Sequence, residues 1–476
     1  MELKIETRRI YHGIILGQTG YGKSTLLERI AEIYHKNGYK IIDLWNNERL
    51  EGSFFSLPSQ FRFWEGKAKG LPTRVLFPVS KELPRVLPSI CKPFTIPINQ
   101  IDLDDMRVFL ASELGRSFRS LYYGMKLELP DNNDIVGFIK GIERLANTGF
   151  VNIEGLPIKA MSKIGYRDLL SSFYPFLAQG TLTSESHPLT LNLEKELKDN
   201  ETITVLSQKF IFNREMKYFI TVWFLRKIFE LKSLGKVKKP ILIISRELSD
   251  LLPTNPIDES QRLTSYWISQ ILKQGRGIKL SMWGDNQSPS ELSSVAYRQF
   301  GYVFSFRITT PDDIQKLSDG RGIIFLQRSD LARLVNLPIG KFLAITPFDF
   351  GFYRAVVPST YHRREGQDFF SIWKKLGNGF VNYTEDIDSI FKQISDSVKK
   401  EQIKVAKEVR EKRTVEETFI DESEIPRNLK DRFQRLDIER HYQCSKRKAV
   451  DIINKWITNN KAKREGGGNN FWYKRL

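Results

Sequence analysis

Gly17, Gly20, Gly22, Lys23 and Ser24 stand close together near the start of this chain. With Gln18, Thr19 and Tyr21 among them, they complete the spacing G-x-x-x-x-G-K-[ST]. That order suits the holding of a triphosphate. The glycines let the backbone curl tightly and point N–H groups inward. A helix opening at Lys23 would add the positive end of its dipole. Lys23 can reach the β- and γ-phosphates, and the Ser24 hydroxyl can ligate Mg²⁺. The expected ligands are ATP and Mg²⁺, with Gly17 through Thr25 as binding residues.

Such a loop needs a strand before it and a helix behind it. Ile14-Ile15-Leu16 supplies the strand pattern, and Leu26, Leu27, Ile30 and Ile33 recur at helical spacing. Gly38 then ends the helix, and Lys40–Trp45 reads as a second strand, giving a βαβ unit. Parallel strands joined in this way imply an α/β fold with helices on both faces of the sheet.

The sequence predicts an ATPase core over residues 1–70 and 200–375, interrupted by a mostly helical insertion over 71–199. In the insertion, helical patterns run around Asp104–Tyr122, Asn133–Ala146 and Tyr166–Phe176. Val75–Val79 and Phe94–Ile98 read as short or edge strands because of their prolines. Residues 376–426 are dominated by charge and read as a solvated helical linker.

The tail, 427–476, holds 14 Lys/Arg against 5 Asp/Glu, half of the chain's net charge of +18. Ala449, Ile452, Ile453 and Trp456 share one face of a predicted helix over Cys444–Asn459, fronted by Lys446, Arg447 and Lys448. Gly466–Gly468 and an aromatic strand follow, a pattern resembling a winged helix-turn-helix. Lys446, Arg447, Lys448, Lys455, Lys474 and Arg475 are the candidate DNA contacts.

Composition narrows the remaining classes. Cys91 and Cys444 lie far apart and the five histidines are scattered, so neither a zinc site nor a disulfide framework is expected. No apolar run reaches the ~18 residues of a membrane span, and the charged start lacks a signal-peptide pattern. The expectation is a soluble, cytoplasmic protein with no integral membrane segment and a polyanionic partner.

Taken together, the ordered motifs resemble the HerA/FtsK superfamily of ring-forming, DNA-translocating P-loop ATPases, over about residues 10–60 and 200–360. The matching segments are the phosphate loop, Ile41-Ile42-Asp43, Ile243–Pro253, Lys273–Gly277, Met282–Pro289 and Leu337-Pro338-Ile339-Gly340. The resemblance implies a RecA-like core, a homo-hexamer and double-stranded DNA as partner, with a nuclease or another protein as a further one.

It also implies roles. Glu247 would polarise the attacking water, Gln287 would sense the γ-phosphate, and Arg276 would reach a neighbouring subunit's nucleotide, with Arg307 and Arg321 as rivals. One position departs from the family: its metal-side Asp is Arg246 here, and a guanidinium cannot ligate a cation. Asp43, taken as the metal residue beside Ser24, or Asp250 could supply the missing carboxylate. Three readings follow: a DNA translocase of packaging, transfer or segregation type; a DNA-binding ATP switch or partition factor with weak hydrolysis; and a secretion or conjugation motor.

Overall fold

The structure, a computed structural model, describes residues 5–46, 51–59, 67–102, 105, 107–108, 150–153, 156–159, 178–319, 327–361, 368–395, 425, 429–441, 446–465 and 472–476. Two units divide the chain, Met1–Ile394 and Ser395–Leu476.

The first unit is built on strands β1 (Gly13–Leu16), β2 (Lys40–Asn46), β3 (Thr73–Pro78), β4 (Val86–Pro88), β5 (Cys91–Phe94), β6 (Ile96–Pro97), β7 (Phe150–Ile153), β8 (Leu156–Lys159), β9 (Leu182–Thr183) and β10 (Ile203–Ser207). It continues through β11 (Ile241–Ser245), β12 (Leu280–Asn286), β13 (Tyr302–Ser305), β14 (Lys341–Ile345), β15 (Phe350–Arg354) and β16 (Phe380–Asn382). Ten of them form one sheet in the order β15-β14-β13-β1-β12-β11-β2-β10-β3-β5. From β13 to β5 every pairing is parallel, whereas β14 and β15 are appended antiparallel.

The near-continuous apolar runs of the central strands reflect burial on both faces. Alternate residues enter different cores. Ile14, Leu16, Ile241 and Ile243 join one, and Ile15, Leu242 and Ile244 the other. Helix α1 (Lys23–Lys36) covers the second face with Leu26, Leu27, Ile30 and Tyr34. Helices α2 (Arg214–Ser233) and α3 (Glu259–Gln274) cover the first. Both are capped by the residue in front: Asn213 accepts from Met216 N–H and Asp258 from Gln261 N–H. The architecture is thus a three-layer α/β/α sandwich, as a RecA-like core requires.

Two segments differ from the expectation. β3 and β5, at the start of the stretch read as a helical insertion, belong to the main sheet, with Pro93 on its edge strand. Residues 376–382 are exposed, but 383–394 pack on the core instead of running through solvent. β16 pairs with β4, and Ile387 and Ile390 of the helical residues 384–395 are buried in the second core. The three insertion helices predicted from the sequence, apart from a few residues near Asp105, fall outside the described residues.

The second unit has a small core of its own, formed by Phe433, Ile438, Ala449, Ile452, Ile453, Trp456 and Ala462. Its strands β17 (Arg432–Phe433), β18 (Ala462–Glu465) and β19 (Trp472–Arg475) pair antiparallel in the order β17-β19-β18. Two helices, α4 (Arg435–His441) and α5 (Lys446–Thr458), precede the β18–β19 pair.

Candidate active site

The phosphate loop leaves the carboxyl end of β1 between two neighbours that hold it. Gly17 N–H donates to the Asn286 carbonyl at 3.2 Å, and Gln18 N–H to the Arg307 carbonyl at 3.0 Å. At Gly17, φ is +132° and an added Cβ would lie 2.7 Å from Phe306 Cβ, so only glycine fits. Gly22, also at positive φ, occupies the cap position of α1, and no side chain caps the helix. The first-turn N–H groups are therefore oriented as an anion site. Tyr21 accepts from Arg307 Nη1 through its hydroxyl (2.8 Å) and from Gly340 N–H through its carbonyl (3.0 Å). Gln18 Nε2 donates to Thr309 Oγ1, and Gln18, Thr19 and Gly20 are exposed at the loop's tip.

Lys23 and Ser24 open α1 and meet two carboxylates. Lys23 is buried, and loss of water pulls its pKa down against the attraction of Asp285 and Glu247. Ser24 Oγ donates to Asp285 Oδ2 at 3.4 Å. The other oxygen of Asp285 accepts from Glu247 N–H at 3.0 Å. Burial raises the Asp285 pKa, while Arg246 and Lys23 pull it back. Glu247 sits just beyond β11 in left-handed backbone (φ 48°), and its Oε1 accepts from Gln287 Nε2 at 3.1 Å.

Of the residues expected from the sequence, Lys23, Ser24, Glu247 and Gln287 converge. Asp285 completes the group and was missed. Its signal was present as an apolar strand, Leu280–Trp283, ending in Gly284-Asp285-Asn286. What the sequence lacked was the strand order that sets β12 directly beside β1.

Other candidates are placed elsewhere. Asp43 is on β2, three strands from β1, or ~14 Å at ordinary strand spacing. Its carboxylate lies 3.9 Å from Arg246 Nε, and Arg246 Nη2 bonds Glu28 Oε1 at 3.2 Å, with all three side chains buried. Asp250 accepts from the Trp45 indole at 3.4 Å. Arg276 lies in the turn before β12, at the opposite end of the strands from the loop, with its guanidinium 5.9 Å from the Tyr11 ring centroid. Arg321 is outside the described residues. In the second unit, Lys446, Arg447 and Lys448 form the first turn of α5; Arg447, Lys455 and Lys474 are exposed and Arg475 is half-buried.

No family model matches the chain. No curated protein sequence is similar to it. Among solved structures it is similar to the genome packaging NTPase B204 of Sulfolobus turreted icosahedral virus 2 in complex with ATP-gammaS. The identity is 9%, 73% of this chain and 98% of that chain are covered, and the TM-score is 0.32. It is also similar to the bacterial conjugative coupling protein TrwBdeltaN70 (15% identity, 74% and 87% covered, TM-score 0.44). The plasmid coupling protein TrwB with the GTP analogue GDPNP is similar too (14%, 75% and 88%, 0.44).

Among the described residues no helix is long and apolar enough to cross a membrane. The phosphate loop, the helix it opens and the order β13-β1-β12-β11-β2 give the core of this chain the RecA-like P-loop NTPase fold, in keeping with the resemblance to the HerA/FtsK superfamily that its motifs carry.

Proposed function

We propose that this protein is an ATP hydrolase that moves double-stranded DNA, working as a ring oligomer. The observation that carries the reading is the convergence of Lys23, Ser24, Asp285, Glu247 and Gln287 around one uncapped helix N-terminus. The triphosphate would lie in the curl of Gly17–Gly22, against the N–H groups of α1, with Lys23 at its β- and γ-oxygens. The Ser24 hydroxyl would hold Mg²⁺, which would supply positive charge against the charge that develops on the phosphates. Glu247 would take a proton from the attacking water, and Gln287 would hold the Glu247 carboxylate in place. Arg276, remote from the site in its own chain, keeps the role of a finger toward a neighbour's nucleotide.

The C-terminal unit supports the nucleic-acid part. α5 begins with Lys446-Arg447-Lys448 and has no acidic residue in its first turn. Cations at a helix N-terminus oppose its dipole, at roughly 0.3–1 kcal/mol each. A polyanion bound there would relieve that cost. With α4, α5 and the β18–β19 pair, this unit is a winged-helix-like module that would present α5 to DNA.

The test is ATP turnover with and without duplex DNA, for wild type and Lys23→Ala. Turnover that rises with DNA and vanishes in the variant supports the motor. ATP binding without turnover favours an ATP-dependent switch.

A further inference from the structure

Arg246 occupies the position where the acidic motif of β11 would place a metal-side carboxylate, and its surroundings explain how it is tolerated. It is buried between Glu28 of α1 and Asp43 of β2. Two buried carboxylates thus flank one buried guanidinium, whose charge also reaches Asp285. Asp43 faces that group at 3.9 Å and starts from a strand three places from β1.

The carboxylate that does meet the phosphate loop comes from a different strand. β12 is hydrogen-bonded directly to β1, with Ile15 opposite Asp285 and Leu16 opposite Asn286. Asp285 is therefore carried to the carboxyl end of the sheet beside Ser24, the residue whose hydroxyl follows the phosphate-binding lysine. One Asp285 oxygen faces the Ser24 hydroxyl at 3.4 Å, and the other is fixed by the Glu247 N–H at 3.0 Å. It is almost fully buried, at 3% exposure. A buried carboxylate oriented by one backbone donor, with its second oxygen on a Ser hydroxyl, has the chemistry of a Mg²⁺ outer-sphere partner.

We infer that Asp285, and not Asp43 or Asp250, is the metal-side carboxylate of this ATPase: the function has moved from the end of β11 to the end of β12, and Arg246 fills the vacated position as a structural cation. This rests on the nucleotide-binding reading above. The role of Glu247 is unchanged by the move, because its own N–H organises the Asp285 carboxylate. Strand adjacency allows the exchange. β11 and β12 are neighbours with Ser245 opposite Gly284, so their ends reach the same side of the loop.

The test uses the full chain, the non-hydrolysable analogue AMPPNP and Mn²⁺ in place of Mg²⁺. Metal affinity of the AMPPNP complex is read from the paramagnetic resonance signal of free Mn²⁺. AMPPNP affinity in EDTA is read separately. Asp285→Asn keeps an acceptor for Glu247 N–H, and AMPPNP binding in EDTA serves as the control that the variant is folded, with its Mn²⁺ affinity read relative to that binding. That affinity should fall by about 10-fold or more. Asp43→Asn should leave Mn²⁺ affinity within about twofold. Wild-type Mn²⁺ affinity in Asp285→Asn, or a large loss in Asp43→Asn, overturns the assignment. If Asp285→Asn does not fold, the anomalous signal of Mn²⁺ in wild-type crystals with AMPPNP decides. Asp285 must then be the carboxylate nearest to it, and Asp43 or Asp250 nearest overturns the assignment. Wild-type protein that binds no AMPPNP in EDTA or in Mn²⁺ removes the nucleotide reading itself, and the assignment with it.

Discussion

Gln287 Nε2 donates to Glu247 Oε1 at 3.1 Å, joining two motifs separated by forty positions in the sequence. The acceptor belongs to a residue in left-handed backbone, a conformation that costs a side-chain-bearing residue on the order of 1 kcal/mol. Its N–H is spent on Asp285. The Glu247 carboxylate is thus held by its own strained backbone and by the Gln287 amide. Glu247→Gln is expected to lower ATP turnover by roughly 100-fold or more while ATP binding persists. Gln287→Ala should cost less, about 10-fold. Steady-state turnover beside equilibrium ATP binding checks both.

Replacing Arg246 by the acidic residue its motif suggests should not produce a faster enzyme. Arg246→Asp would set a third carboxylate against Glu28 and Asp43, none of them with the guanidinium now between them. Breaking a buried ion pair on one side costs roughly 3–5 kcal/mol. The expected result is a lower denaturant midpoint and turnover no higher than wild type. A stable variant with raised turnover would show that Arg246 had been limiting hydrolysis.

Stability should fall in mild acid because of His12. This side chain is buried where β1 begins. Its Nδ1 accepts Met282 N–H at 3.1 Å, and burial together with the Arg276 charge pushes its pKa down to about 3. The folded state therefore keeps His12 neutral, while the unfolded chain takes up a proton near pH 6.5. The stabilisation is complete above about pH 6.5 and declines as pH falls toward 3, by an amount on the order of a few kcal/mol. Urea unfolding across that window should show the decline, and His12→Asn should flatten it.

In the C-terminal unit, Arg447→Ala and Lys474→Ala remove exposed charges without touching its core. If these side chains neutralise phosphates, each variant should weaken duplex binding for all sequences alike. Each should also reduce the magnitude of the slope of log K against log salt by about 1. Unchanged slopes in both would place the DNA surface elsewhere.

At the phosphate loop, Gly17→Ala should abolish ATP binding while leaving the fold largely intact. The positive φ and the 2.7 Å approach to Phe306 Cβ leave no room for a methyl group. Binding of a fluorescent ATP analogue, with circular dichroism as the folding control, measures it.

Much of this was legible from local pattern. The loop, its helix and the buried strand Ile241–Ser245 announce themselves because glycine spacing and apolar runs are local properties. Asp285 was not, because its role depends on β12 lying between β1 and β11, and a sequence does not print the order of parallel strands. Residues 384–395 were misread for a different reason. They were grouped with the charge-dense stretch that follows, yet Ile387 and Ile390, three apart on one face, together with Phe391 and Ile394, seat the helix on the core. At Arg246, the sequence showed a missing acid but not the two carboxylates that hold the cation.

The sheet order has a further consequence, for the birth of the protein on the ribosome. β1 is made well before both strands that flank it, since β12 and β13 come after residue 279. Until they emerge, the phosphate loop lacks the Asn286 and Arg307 carbonyls and the Asp285 carboxylate. At ordinary synthesis rates that interval is on the order of tens of seconds. The nascent chain must pass through it with an apolar strand unpaired and no ATP site. Contacts of such long sequence separation make for slow folding. Nucleotide binding by growing chains would therefore mark the moment at which the sheet closes around its first strand.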